Sequence, residues 1–139
     1  MQPERMSLVV FSGTADKLIA AATMATGAAA MGMEVDLFLT FWGLEAFKKG
    51  AKERPPRLTA EYADYGPQMM TMMQEKNVPH WLDTLCGARE VGEVRIYACS
   101  ATMELFGIAL RDLEDVVDEV TGVASFVDRA KDARISLFI

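Results

Sequence analysis

The chain has 139 residues, of which 51% are hydrophobic and 24% charged, with a formal charge of −6 and a pI near 4.8. That length suits one globular domain spanning 1–139 with a real core, and an acidic chain whose Lys and Arg are scattered excludes nucleic-acid binding, which needs clustered cations. Two cysteines and a single histidine, His80, make neither a zinc framework nor a disulfide scaffold, so no metal is expected and a reducing cytoplasm fits.

The N-terminal MQPERM leads into only a short apolar run, LVVF, before Ser12 and Gly13, so no secretory leader is expected. Met6–Phe11 then reads as a strand buried on both faces, ended by Ser12-Gly13. Thr14 to Met31 is helix-forming, with Thr14 as N-cap and Gly32 as C-cap. Its uncharged stretch, Leu18 to Met33, is Ala-rich and shorter than the ~20 strongly apolar residues of a membrane span, so a buried helix is expected. Glu34–Phe41 gives a second apolar strand, and WGLEAFKKGAK a second helix whose limits are blurred by Gly43 and Gly50. ERPPRLTAEYADYGP (53–67) is the one loop-like stretch, marked by Pro55-Pro56 and Gly66-Pro67.

QMMTMMQEK is next read as helical, with Met69, Met72 and Met73 on one face. Met at such spacing is more often core or oligomer contact than a cofactor box. Val78-Pro79 breaks the chain, and HWLDTLCGAREV forms an amphipathic helix on which His80 reads as a solvated capping residue and Cys86 as core packing. EVRIYAC is the third strand and SATMELFGI the helix after it. The acidic run LEDVVDEV reads as a solvated segment leading into a short fourth strand around Glu119-Val120. VASFVDRAKDA is a last helix and RISLFI a fifth strand. The order calls for an α/β fold: a five-stranded, mostly parallel sheet with helices on both faces, a flavodoxin-like three-layer sandwich.

In such a sheet the carboxyl ends of the strands share one edge, where ligands bind. That edge gathers Ser12, Gly13, Thr40 to Trp42, Cys99 and Ser100. A cysteine at a helix N-terminus meets unpaired N–H groups and the positive end of the helix dipole, which favour a thiolate. A cysteine filling an apolar slot at a strand end is the competing reading. Cys86 lies ~7 Å before the end of its helix, and the following strand climbs back ~20 Å, which leaves the two sulfurs on the order of 10 Å apart. An intrachain disulfide, limited to Cα atoms within ~7 Å, is not expected.

The segments VVFSGTADKLIAAATMATGAAAMGMEVDLFLTFWGL, ACSATMELFGI and SLFI resemble the DsrE/DsrF/DsrH-like sulfur-relay family, specifically its type-two DsrE branch, often labelled peroxiredoxin-like. The likeness covers residues 6–50 and 78–139. It implies a homo-oligomer in which the cysteine matching Cys99 accepts sulfane sulfur as a persulfide or thiosulfonate and passes it to a protein thiol. Thiosulfate, tetrathionate or a low-molecular-weight persulfide would be the donor. No cofactor is implied, and membrane association only through a partner. Where the branch carries a longer Gly-rich insertion before the Met-rich helix, this chain has only 53–67.

Candidate neighbours of the sulfur are Ser12, Gly13, Thr40, Trp42 and Ser100, whose hydroxyl or N–H groups suit an anionic donor, and Met103, whose thioether suits shielding. Each also has an ordinary role as cap, turn or apolar anchor. Two further readings stand beside sulfur relay: a flavin- or nucleotide-binding module, from SGT after the first strand, and an oligomeric scaffold with an inert Cys99.

Overall fold

The structure, a computed structural model, describes residues 2–139. Five strands form one sheet: β1 Arg5–Val10, β2 Glu34–Leu39, β3 Val94–Cys99, β4 Glu119–Thr121 and β5 Ile135–Phe138. Every pairing is parallel and the order across the sheet is β4-β3-β2-β1-β5. The helices are α1 Ala15–Ala30, α2 Phe41–Ala46, α3 Gly66–Glu75, α4 Trp81–Val91, α5 Ser100–Phe106 and α6 Val123–Ala130. The α/β sandwich expected from the strand run is therefore present.

Alternation along the strands divides the core. Leu8, Val10, Val35, Leu37, Leu39 and Ile96 are wholly buried on the face where α1 packs against α4. The Ala-rich stripe of α1 (Ala21, Ala22, Ala25, Ala28 and Ala29, all buried) permits that close approach. The other face belongs to α6, which carries the chain back across the sheet from β4 to β5. Phe126 of α6 stacks on Phe38 with ring centroids 4.5 Å apart. Arg129 grips the buried Asp36 with two hydrogen bonds, of 2.9 and 3.2 Å, and lies over the Tyr97 ring. A charge taken out of water requires such pairing.

Several boundaries differ from the sequence reading for identifiable reasons. The second strand stops at Leu39: Thr40 is the N-cap of α2, and Phe41 opens that helix with a φ of +47°, a conformation that ends strand pairing. The second helix stops at Ala46, and Lys48 bridges instead to Leu113. The loop 53–67 contains a 3-10 segment, Ala60–Tyr65, and α3 begins at Gly66 with Pro67 in its first turn. Thr14 holds the N-cap position of α1 without a side-chain cap bond, while Gly32, just past the helix, takes a φ of +81°.

Three expectations about side chains are corrected. Cys86 is exposed, not core, because Trp81, Leu82, Leu85 and Ala88 form the buried face of α4. Helix α3 buries no residue within this chain, so Met69, Met72 and Met73 are not core. LEDVVDEV is not simply solvated: Leu113, Val116 and Val117 are buried, Glu114 accepts from the N–H groups of Gly50 and Ala51, and Asp118 accepts from that of Ile96. Acidic side chains in this run satisfy buried backbone donors, a role that charge density alone does not reveal. His80 is the N-cap of α4 as expected, its Nδ1 accepting from the Leu82 N–H at 3.0 Å, and burial holds its pKa below the ordinary histidine value.

Among the described residues, no helix is long and apolar enough to cross a membrane, and no cluster of three or more metal-ligating side chains occurs.

Candidate functional site

Strand β3 runs without a turn into α5, so its last residue, Cys99, is also the helix N-cap, with extended φ and ψ of −68° and 117°. The N-cap side chain is the one directed at the unpaired N–H groups of the first turn. The thiol is buried, with 6% of its surface exposed. Burial pushes its pKa up, and this is the largest single influence. The hydroxyl and N–H of Thr102, the hydroxyl of Thr40 and the N–H of Ala101 together outweigh it, so the thiol sits below its ordinary value. None of these contacts closes into a full capping hydrogen bond; the donors act as a loose cage.

Thr102 ties the cage to the neighbouring strand. Its hydroxyl lies 3.0 Å from that of Thr40 and accepts from the Phe41 N–H at 3.2 Å. Phe41 holds a positive φ, a strained choice for so bulky a residue. The strain turns its N–H toward Thr102 and sets its ring among other aromatics. Phe41 packs on Phe11 and Phe106 at 5.5 and 5.7 Å, and Trp42 stacks on Phe106 at 5.6 Å. A polar cage for the sulfur thus lies next to an aromatic shelf at the carboxyl edge of the sheet.

Two glycines set α2 onto β1. A Cβ at Gly43 would come within 2.1 Å of the Val10 carbonyl oxygen, and one at Gly13 within 2.5 Å of that of Trp42. Both contacts lie far inside van der Waals range, so backbone can approach this closely only where no side chain intervenes.

The predicted neighbours separate into two groups. Thr40 belongs to the cage, and Met103 is buried on α5, the helix that Cys99 caps. Ser100 follows Cys99 but is exposed. Ser12, Gly13 and Trp42 instead line a groove between the start of α1 and the 54–59 loop, which Cys99 does not line. Thr102 was missed by the sequence reading, although its place three residues after an N-cap was the available signal. Phe41 was placed at the edge, but its positive φ and its N–H bond to Thr102 were not foreseen, because such a conformation at a phenylalanine has no compositional marker.

Fold and site define a class: a parallel α/β domain presenting one polarised, buried thiol at the carboxyl edge of its sheet. The chain belongs to the DsrE/DsrF/DrsH-like family, whose model matches residues 2–61 and 56–138. It is 34% identical to YrkE, an uncharacterized protein of Bacillus subtilis (strain 168), across 99% of this chain and 98% of that protein. It is 27% identical to DsrE2 of Allochromatium vinosum, named a sulfur carrier protein, across the whole of both chains. A solved structure, protein MTH1491 of Methanobacterium thermoautotrophicum, described as of unknown function, shares the fold with a TM-score of 0.60 and 14% identity. That match covers 98% of this chain and 99% of the other. The alignments to the two curated relatives run over 158 and 160 positions against 139 residues here, so these relatives carry residues without a counterpart. The two matched segments overlap at 56–61, inside the 53–67 loop.

Proposed function

We propose that this protein is a sulfur-relay protein that accepts sulfane sulfur on Cys99 and passes it to a partner thiol. The observation that carries the reading is the cage of Thr40, Ala101 and Thr102 donors, which lowers the Cys99 pKa in spite of burial; the family and its sulfur carrier relative support it. The thiolate is the nucleophilic form of cysteine. With a low-molecular-weight persulfide as donor, the Cys99 thiolate attacks the outer sulfur and a new S–S bond forms. The donor's S–S bond breaks, its thiolate leaves, and the proton stays on the transferred sulfur. With tetrathionate, the same attack expels thiosulfate and leaves a thiosulfonate on the cysteine. An acceptor thiolate then attacks the sulfur bonded to Cys99 Sγ; that S–S bond breaks, the transferred group moves to the acceptor, and Cys99 leaves as its thiolate.

A buried site suits this chemistry, because a persulfide exposed to solvent thiols would discharge before meeting its acceptor. Thr40 and Thr102 hold the anion, and the aromatic shelf limits access. Assembly into a homo-oligomer belongs to the same proposal, with α3, which buries no residue and leaves Met72 exposed and Met69 and Met73 half-buried, as a surface available for it. Intact-mass measurement after incubation with thiosulfate, tetrathionate or glutathione persulfide is the test. A gain of one sulfur or of a thiosulfonate group, removed by dithiothreitol, is expected; an unchanged mass with every donor overturns the reading.

A further inference from the structure

A roomy cavity lies apart from the sulfur. It is a groove of about 630 Å³ formed where the turn after β1 meets α1, α2 and the 54–59 loop. This is within the ~300–1,000 Å³ range of pockets that hold small organic ligands. Its apolar lining includes Trp42, Trp81, Leu58 and the Pro55-Pro56 pair.

Charge marks it out further. The chain carries −6 overall, yet the groove is lined by Lys17, Arg54 and Arg57 against a single acid, Glu45. Arg54 is already committed, donating to the carbonyls of Ala46, Lys48 and Lys49. The side chains of Lys17 and Arg57 make no ion pair or hydrogen bond among the described residues. The groove wall also includes the start of α1, a helix of 16 residues. There the Ala15 N–H donates to the Arg57 carbonyl at 2.7 Å, while the Asp16 and Lys17 N–H groups of the first turn have no intrahelical acceptor. The Thr14 hydroxyl oxygen is buried beside them without a hydrogen-bond partner. Two uncommitted cations and an aromatic wall within one cavity, at the positive end of a 16-residue helix, suit a ligand with an anionic head and a flat apolar body.

We propose that this groove binds a small organic anion, its phosphate or carboxylate head held by Lys17 and Arg57 and its flat apolar body lying against Trp42, Trp81 and the Pro55-Pro56 turn. The site is distinct from the sulfur cage: Trp42 borders the groove, stacks on Phe106 on its other flank, and Cys99 does not line the cavity. Trp42 is thus shared between the groove wall and the aromatic shelf, while the sulfur position lies outside the groove.

The two tryptophans of the chain both line the groove, so their fluorescence reports on it directly. The full chain is titrated with adenosine 5′-monophosphate, which presents a phosphate head, and with phenylacetate, which presents a carboxylate. Inorganic phosphate and adenosine serve as head-only and body-only probes. A saturable change with at least one of the two aromatic anions is expected, with a Kd of ~1 mM or tighter and at least about tenfold weaker binding of either fragment. Which anion binds identifies the head. Arg57→Ala, on an exposed loop, and Lys17→Ala are each expected to weaken binding several-fold, and added salt likewise, with the melting temperature unmoved. Cys99→Ser leaves binding intact, which keeps this result independent of sulfur transfer. No saturable change with either aromatic anion, or unaltered affinity in both cation variants, overturns the proposal.

Discussion

The junction that carries Cys99 and the mid-helix position of Cys86 give one kind of side chain opposite surroundings. Cys99 ends a central strand, caps a helix and is almost wholly buried among hydroxyl and N–H donors. Cys86 sits on the outer face of α4, with the Lys52–Asp83 ion pair as its charged neighbourhood. Exposure alone would nominate Cys86 as the reactive thiol. The contrast teaches that accessibility and electrostatic surroundings are separate properties: hydroxyl and N–H donors surround the sulfur that the fold hides.

The comparison breaks most decisively under substitution. Cys99→Ser is expected to abolish the donor-dependent mass gain, and Cys86→Ser to leave it at the wild-type level; transfer of the modification to Cys86 in the Cys99→Ser chain would reverse the assignment. Thr102→Val sharpens it next, since it deletes a hydroxyl that lowers the thiol pKa while leaving burial, which raises it. The midpoint of a pH profile of Cys99 alkylation is expected below that of a free cysteine in the wild type and higher in the variant. Each unit of that rise cuts the thiolate fraction at neutral pH about tenfold.

Stability follows the same sign. A thiol held below its unfolded pKa stabilises the fold fully above that unfolded value, and the contribution disappears as pH falls through the folded value. Melting temperature measured against pH should therefore lose this increment in Thr102→Val. The smallest effect belongs to Cys86→Ser, a surface change expected to move stability by no more than about 0.5 kcal/mol in chemical denaturation.

Much of this architecture was legible in the residues. Apolar runs such as Met6–Phe11 and Glu34–Phe41 announced buried strands, and the Ala stripe of α1 announced close packing. Cys99 was placed at the carboxyl edge by strand direction alone. What escaped notice depends on long-range partners. Glu114 and Asp118 read as solvent-facing charge because the N–H groups they satisfy, at Gly50, Ala51 and Ile96, are far away in sequence. Cys86 read as core because helical periodicity leaves a residue next to the buried stripe ambiguous. Thr102 was hidden by the plainness of a threonine in a short helix, and its importance lies in Thr40 and Phe41 across the sheet edge.

The position of β5 has a consequence for how the protein is made. The first strand of the chain lies inside the sheet, and one of its two neighbours is the last strand. The Ile139 carbonyl accepts from both Phe11 and Ser12, and its N–H donates to Val9. Until that distant segment arrives, β1 is an open edge able to pair with another molecule. Closing so long a loop is entropically expensive and slow. Docking of β5 onto β1 thus closes that edge and fixes the backbone at Phe11 and Ser12, beside the groove.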